Sequence, residues 1–180
     1  MQIKIIRANR GHAVVISRIG RQSFRDAFAN LFNSKTELQE YLERTYQPEK
    51  IERSIARENN IYFIAFVDSV PVGFAKLKKS SLEPQIESIA QMELQKIYVL
   101  SYYHGSGAGA ALMDAVIDCA VGSQPDYLWL HVHVSNKKAI RFYEKRGFQF
   151  TGSHSFIIGT QQFEFHMMSL PVSVMEPNCA

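Results

Sequence analysis

The segment His104–Gly109, with the sequence HGSGAG, is the most informative stretch of this chain. It holds three glycines in five positions and lies between a β-prone run, residues 92–100, and a helical stripe that begins at Ala108. Glycines allow positive φ angles and a close approach of the backbone to a ligand. Several N–H groups and the positive end of the following helix can then converge on an anion. The segment predicts either a phosphate-binding loop or a tight turn between strand and helix.

Two known classes of phosphate loop fit this segment poorly. A nucleotide-binding P-loop ends in Gly-Lys-Ser/Thr, whereas Gly109 is followed by two alanines. Gly105, Gly107 and Ala110 have the G-x-G-x-x-A spacing of a dinucleotide site, which belongs in the first βαβ unit of a parallel sheet. Asp126 lies 21 residues after Gly105, but it precedes the next predicted strand instead of ending it. A dinucleotide-binding oxidoreductase is therefore the weaker alternative.

The length and composition indicate one globular domain, which we expect over residues 1–170 with a frayed tail over residues 171–180. Of the 180 residues, 46% are hydrophobic and 21% are charged, which excludes a disordered chain or a coiled coil. The net charge of +3 is too small to indicate a nucleic-acid-binding protein. The two cysteines, Cys119 and Cys179, support neither a disulfide framework nor a zinc site.

The hydropathy of the chain predicts a cytoplasmic protein that does not cross a membrane. The N-terminus has no apolar segment or cleavage site of a signal peptide. The longest unbroken apolar run, Ile61–Val67, is far shorter than the ~20 residues that span a bilayer.

The periodicity predicts an α+β fold in which helices interrupt a mostly antiparallel sheet. Ser34 and Glu37 form a capping box, and Pro48 is expected at the first position of the next helix. The predicted strands cover residues 3–6, 61–67, 72–79, 92–100, 127–134, 148–155 and 162–169; the predicted helices cover residues 12–28, begin near 34, 48 and 108, and cover 136–146.

Two motifs in this order resemble those of the Gcn5-related N-acetyltransferase (GNAT) superfamily. His104-x-x-Gly107-x-Gly109 resembles the family's pyrophosphate loop, Gln/Arg-x-x-Gly-x-Gly/Ala. The second acetyl-CoA motif is matched by Leu130-x-Val132-x-x-x-Asn136-x-x-Ala139-x-x-Phe142-Tyr143-x-x-x-Gly147-Phe148. The resemblance implies a GNAT fold with a mixed, mostly antiparallel sheet of about seven strands, about four helices, and strands 4 and 5 splayed apart.

The strand before the loop carries its own signal for that splaying. Leu94, Ile97 and Val99 are spaced 3 and then 2 residues apart, so the alternation of a regular strand breaks between the first two. A β-bulge would explain the change of phase. The alternative is a regular strand with Lys96 and Tyr98 on its solvent face.

The resemblance implies acetyl-CoA as the co-substrate. The residues that would bind it are Ile97, Tyr98, Val99, His104, Gly105, Ser106, Gly107, Ala108, Gly109, Asn136, Ala139, Tyr143 and Lys145. His104 departs from the family pattern, because it replaces a Gln or Arg. It can offer an N–H to phosphate, but its positive charge depends on pH.

The resemblance also implies the catalytic groups. Tyr143 would be the acid that protonates the leaving thiolate, and either His131 or Glu93 would be the general base. His131 and His133 form an H-x-H pair, but no third ligand at a recognisable spacing accompanies them, so we expect no metal.

The segment from Phe24 to Arg57 and the runs Tyr62–Ala65, Gly73–Leu77 and Glu93–Val99 resemble, more loosely, bacterial spermidine/spermine N-acetyltransferases. This resemblance makes a polyamine the expected acceptor. Three glutamates of the second predicted helix, Glu37, Glu40 and Glu43, could attract its ammonium groups, and Tyr41 and Tyr46 could offer aromatic faces to them. The alternatives are a protein or peptide N-terminus, another small amine, and a catalytically silent acyl-CoA-binding module. The same resemblance is compatible with a homodimer.

Overall fold

Five α-helices and seven β-strands form the part of the chain that the computed structural model describes, residues 1–172. The helices are α1 (Ala13–Phe28), α2 (Lys35–Thr45), α3 (Pro48–Ile55), α4 (Ala108–Ser123) and α5 (Lys137–Glu144). The strands are β1 (Ile3–Arg7), β2 (Asn60–Val67), β3 (Val70–Lys79), β4 (Gln91–Val99), β5 (Tyr127–His133), β6 (Gln149–Ile158) and β7 (Gln161–Pro171).

The strands form one mixed sheet in the order β1-β2-β3-β4-β5-β7-β6. The pairs β1–β2, β5–β7 and β6–β7 are antiparallel, whereas β4–β5 is parallel. The predicted α+β class is thereby confirmed, with five helices in place of about four. The single parallel pair also differs from the parallel sheet that a dinucleotide-binding fold requires. The tail is expected to begin at residue 171, but Pro171 belongs to β7 and pairs with Tyr127 of β5. Residues 173–180 lie outside the described part.

Local sequence signals explain where several elements begin and end. The Ser34 side chain accepts a hydrogen bond from the N–H of Glu37 and caps α2. Pro48 opens α3, where its missing N–H leaves no helical bond unmade. Asp68 and Ser69, which join β2 to β3, have φ angles of 47° and 69°. Two positive φ angles in a two-residue connection match the right-handed twist of a β-hairpin.

The described residues divide into two compact units. Unit 1 comprises Met1–Leu77 and Lys96–Ile117. Its core is formed by the inner faces of α1, α2 and α3 against β2 and β3, with Ile16, Leu42 and Ile64 at most 1% exposed. Tyr46 follows α2 directly and is 1% exposed, with its ring against Gly20 of α1.

Unit 2 comprises Lys78–Gln95 and the described residues from Asp118 to Val172. Ile86, Trp129 and Met167 form a buried cluster in it. The loop between β3 and β4, which contains Ile86, is therefore part of the core of this unit. The indole Nε1–H of Trp129 donates to the carbonyl of Ser81 at 2.9 Å and ties the loop to β5.

Gly20 provides a test of the packing of unit 1. A Cβ added there would lie 2.4 Å from two ring atoms of Tyr46. We expect Gly20→Ala to lower the free energy of unfolding by about 1–3 kcal/mol, because the buried ring has to move. Gly122→Ala, also in a helix but with open space around its Cβ, is the control and should be neutral or stabilising by up to about 1 kcal/mol. Urea unfolding of both variants measures the difference, and equal stabilities would contradict the packing described.

Candidate active site

The glycine loop of unit 1 has the backbone shape that an anion-binding loop needs. Gly105 and Gly107 have φ angles of 86° and 90°, which side-chain-bearing residues rarely adopt. Ser106 Oγ accepts from the N–H of Ala108 at 3.3 Å, where α4 begins. The first N–H groups of a helix have no acceptor within the helix, and they lie at its positive end. The loop therefore fits a phosphate or pyrophosphate group.

His104 is held back against the preceding strand. Its Nε2 lies 2.9 Å from the carbonyl oxygen of Val99, which can only accept, so Nε2 carries the proton. The expected contact of a neutral His104 with phosphate through this N–H is thus in competition with an internal bond. The other ring nitrogen, Nδ1, donates only when the imidazolium forms.

The end of β4 leads into the loop and carries three of the predicted coenzyme residues. Ile97, Tyr98 and Val99 are half-buried. A Cβ at Gly73 would lie 2.7 Å from the carbonyl oxygen of Tyr98, so β3 approaches this backbone closely. The parallel ladder between β4 and β5 covers the first part of β4, where Gln91–Glu93 pair with Tyr127–Trp129. The β-bulge between Leu94 and Ile97 stays a prediction.

In unit 2, the predicted coenzyme residues Asn136, Ala139, Tyr143 and Lys145 lie on or beside α5. Asn136 Oδ1 accepts from the N–H of Ala139 at 3.1 Å and caps the helix. Lys145, just after the helix, is exposed.

The end of α5 explains why the motif spaces Tyr143, Gly147 and Phe148 as it does. The N–H of Phe148 bonds to the carbonyl of Tyr143, and the N–H of Gly147 to that of Glu144. Gly147 has a φ angle of 87°, so this is a Schellman motif. The reversal brings the ring of Phe148 to 5.8 Å from that of Tyr143. The motif thus fixes the tyrosine ring.

Burial controls the chemistry of Tyr143. The side chain is 8% exposed and packs between Phe142 and Phe148. Burial raises the pKa of its hydroxyl far above the ordinary tyrosine value. The hydroxyl therefore stays protonated near neutral pH and is a weaker acid than the hydroxyl of a free tyrosine.

The two candidate bases of the sequence, His131 and Glu93, lie on the same face of the sheet. Glu93 on β4 pairs in register with Trp129 on β5, and His131 is two residues further along β5. Residues two apart on a strand share a face, and so do paired residues on neighbouring strands. The ring of His131 stacks edge-on against Trp129 at 5.2 Å.

Residues that sequence analysis did not single out complete this cluster. Glu83, in the β3–β4 loop, has its Oε2 at 4.0 Å from Nε2 of His131. Ser81 Oγ donates to Oε2 of Glu93 at 2.8 Å. The ring of His154 on β6 lies 5.4 Å from that of His131. The strand order brings His154 on β6 to this cluster, and the fold of the β3–β4 loop brings Ser81 and Glu83 to it.

The environment of His131 favours the neutral imidazole. Burial lowers its pKa below the ordinary histidine value of 6.5, and His154 adds to this lowering. Glu83 and Glu93 act in the opposite direction but do not outweigh burial. The side chain is 15% exposed. His131 is therefore a neutral proton acceptor near physiological pH.

His133, the other member of the H-x-H pair, has a structural position. Its Nδ1 accepts from the N–H of Ser135 at 3.2 Å and lies 2.8 Å from the hydroxyl of the same residue. Its ring packs against Phe163 and Phe165, and burial lowers its pKa. Among residues 1–172, no three His, Cys, Asp or Glu side chains are placed to hold a metal ion.

The aromatic residues expected to meet an acceptor are occupied within unit 1. Tyr46 is buried, and the ammonium group of Lys96 lies 5.4 Å from its ring centroid, so its cation–π contact is internal. Tyr41 packs against Phe24 at 4.7 Å between ring centroids. Tyr46 is therefore part of the core and offers no free face to an acceptor, whereas a contact of the half-buried Tyr41 with the acceptor stays a prediction. Glu40 and Glu43 of α2 are exposed, and Glu37 is half-buried.

Comparison with known proteins identifies the family. The sequence profile of the Acetyltransferase (GNAT) family matches residues 25–148. This chain belongs to that family. An uncharacterized N-acetyltransferase of Lactobacillus delbrueckii is 25% identical over 157 residues, 87% of this chain and 90% of that protein. An uncharacterized N-acetyltransferase of Mycobacterium tuberculosis is 40% identical over 77 residues, and the match spans 43% of this chain and 49% of the relative.

Solved structures of other N-acetyltransferases share the fold of this GNAT family chain. The PaiA N-acetyltransferase of Thermoplasma acidophilum, in complex with coenzyme A, has a TM-score of 0.76 at 21% identity, covering 95% of this chain and 99% of its own. The ribosomal-protein-S18-alanine N-acetyltransferase of Escherichia coli has a TM-score of 0.71 at 19% identity, covering 99% of each chain. The predicted GNAT fold is confirmed. Within residues 1–172, the helices are too short or too polar to cross a bilayer.

The glycine loop yields a paired test. In Gly107→Ala the backbone would keep a φ of 90° at a residue with a Cβ, which would also lie 3.1 Å from Ile3 Cδ1. We expect the dissociation constant of coenzyme A, measured by calorimetry, to rise by about tenfold. Gly109→Ala keeps the N–H, and its Cβ would meet only Val99 Cγ2 at 3.7 Å, so the rise should stay within about twofold. Equal effects would remove the loop conformation from coenzyme binding.

Proposed function

We propose that this chain transfers the acetyl group of acetyl-CoA to a primary amine, with His131 as general base and Tyr143 as general acid. The observation that carries the proposal is the position of His131, which is 15% exposed, lies 4.0 Å from the carboxylate of Glu83 and shares a sheet face with Glu93. A GNAT family member needs such a group because its acceptor amine arrives protonated. Alkyl amines have pKa values of about 10 in water.

The glycine loop would bind the coenzyme in unit 1. The N–H groups at the start of α4 suit the pyrophosphate, and the backbone of Ile97–Val99 would pair with the pantetheine arm. In unit 2, Asn136 and Tyr143 would contact the pantetheine and the sulfur. When bound, acetyl-CoA supplies an activated thioester. His104 would add a charge-assisted bond to the pyrophosphate only as the imidazolium.

The acceptor nitrogen loses two protons during the proposed transfer. His131 takes one proton from the ammonium group, and the freed lone pair attacks the thioester carbonyl carbon. The C–N bond forms and the C–S bond breaks, which leaves a thiolate. The hydroxyl of Tyr143 protonates the thiolate, and the second proton lost by the acetylated nitrogen returns to the phenolate. One proton per turnover leaves the site through His131.

We propose a small polyamine, such as spermidine or spermine, as the acceptor. Charge supports this choice in each unit separately. In unit 2, Glu83 and Glu93 would attract the reacting ammonium group. In unit 1, the exposed carboxylates of Glu40 and Glu43 are free of burial cost and could attract distal ammonium groups. The cytoplasmic location and the homodimer stay predictions from the sequence.

A panel of acceptors tests the proposed function. Turnover of acetyl-CoA, with products identified by mass, is compared for spermidine, a peptide N-terminus, an aminoglycoside and an amino acid. We expect the highest kcat/KM for spermidine, with a fall as salt screens the charges. Glu40→Gln and Glu43→Gln should raise the KM for spermidine severalfold, and Glu52→Gln on α3 is the matched control.

The outcomes of the panel separate the alternatives. Preference for a peptide or a singly charged amine would reject the polyamine and leave acetyl transfer intact. Binding of acetyl-CoA without acetylation of any amine would instead support the silent acyl-CoA-binding module.

Tyr143→Phe tests the general acid. It removes one hydroxyl and keeps the ring that packs on Phe148, so coenzyme affinity should hold. We expect kcat to fall by about 10- to 1000-fold. Tyr127→Phe, on β5, is the control for loss of a hydroxyl. Full activity of Tyr143→Phe would exclude this residue from the mechanism.

A further inference from the structure

Glu83 is a carboxylate in an unusual place for its charge. It stands in the loop between β3 and β4 and is 8% exposed. Its Oε1 accepts from the N–H of Gln85 at 3.2 Å, and its Oε2 faces Nε2 of His131 at 4.0 Å. Burying a carboxylate costs free energy unless the charge is paired or hydrogen-bonded. The position therefore calls for a partner that carries positive charge at some stage.

The backbone of Glu83 is fixed independently of its side chain. The side-chain amide of Gln91, 3% exposed, accepts from the N–H of Glu83 at 2.7 Å and donates to its carbonyl at 3.2 Å. The same amide donates to the carbonyls of Ile86 and Ser88. The loop is thus built around one buried amide, which fixes the backbone at Glu83.

We propose that Glu83 is a positioning residue for acetyl transfer: its carboxylate faces the Nε2 edge of His131 at 4.0 Å and stabilises the imidazolium that forms when Nδ1 takes the proton of the acceptor amine. This inference rests on the proposed function, and it assigns a role to a residue outside the family motifs.

The geometry distinguishes the two nitrogens of His131. Nε2 is buried and has no hydrogen-bond partner among residues 1–172. A lone pair on Nε2 would point at the Glu83 carboxylate, so the proton belongs on Nε2 and the lone pair on Nδ1. Nδ1 is therefore the nitrogen that accepts the substrate proton. The carboxylate then faces a full positive charge, much as a buried acidic group stabilises the imidazolium of a catalytic triad.

The other ionisable groups around His131 set the direction of the expected changes. Glu93 on β4 favours the imidazolium, as Glu83 does, whereas His154 on β6 opposes it. His133, on the same strand, has its Nδ1 engaged by Ser135. Removing the charge of Glu83 should lower the pKa of His131 further, because one of the two favourable charges is lost.

Titration by NMR tests this pairing without reference to activity. The imidazole signals of His131 are followed against pH in the wild type, in Glu83→Gln and in Glu87→Gln. Glu87 lies in the same loop but is exposed, so its variant makes the same charge change away from the ring. We expect Glu83→Gln to move the titration of His131 to lower pH and Glu87→Gln to leave it in place. An unchanged titration, or an equal shift in both variants, would overturn the pairing.

Kinetic measurements test the role of Glu83 in acetyl transfer. In Glu83→Gln the acid limb of kcat/KM should move to lower pH, and the plateau should fall by roughly tenfold. A plateau and limb like those of the wild type would overturn the positioning role. Glu83→Asp keeps the charge one methylene further away and should move the titration of His131 to lower pH by less than Glu83→Gln does. If Glu83→Gln does not fold, this shift supports the pairing of Glu83 with His131, and its absence overturns it. A wild type that acetylates no amine would reject the proposed function, while the NMR arm still decides the pairing.

Discussion

The hydrogen bonds of one buried side-chain amide, that of Gln91, organise the loop between β3 and β4. Leaving a buried amide unpaired would cost several kcal/mol, so its bonds to the 83–88 loop are strongly favoured. With Trp129 bound to Ser81, they hold the loop against the sheet. The loop in turn brings Glu83 to His131. A loop that looks like a simple polar connection in sequence is therefore part of the proposed active site.

Much of the fold could be predicted because its signals are local. The cap at Ser34, the proline that opens α3 and the glycine that ends α5 each act through the backbone of a few neighbouring residues. The loop between β3 and β4 has no such signal. Its conformation depends on a side chain eight residues away from Glu83, whose role as a hydrogen-bond hub is invisible in periodicity or composition.

Single residues of the candidate site could be predicted, but not their arrangement in space. His131 and Glu93 could be named as rivals, but their common face follows from the β4–β5 register, which no local pattern specifies. The sequence suggests Tyr46 as an aromatic face for the ammonium groups of a polyamine. In the structure it is core, since Gly20 leaves room for its ring and Lys96 covers it. An aromatic residue at the end of an amphipathic helix is more often part of the core than of a ligand-binding surface.

In the proposed reaction, the imidazole of His131 takes the proton of the acceptor amine. Chemical rescue tests this role: His131→Ala is assayed for acetyl transfer with added imidazoles of graded basicity, after subtraction of the reaction without protein. We expect a low basal rate that rises with imidazole concentration, and rises more for the more basic compounds. A variant as active as the wild type, or an inactive one that no imidazole restores, would contradict it.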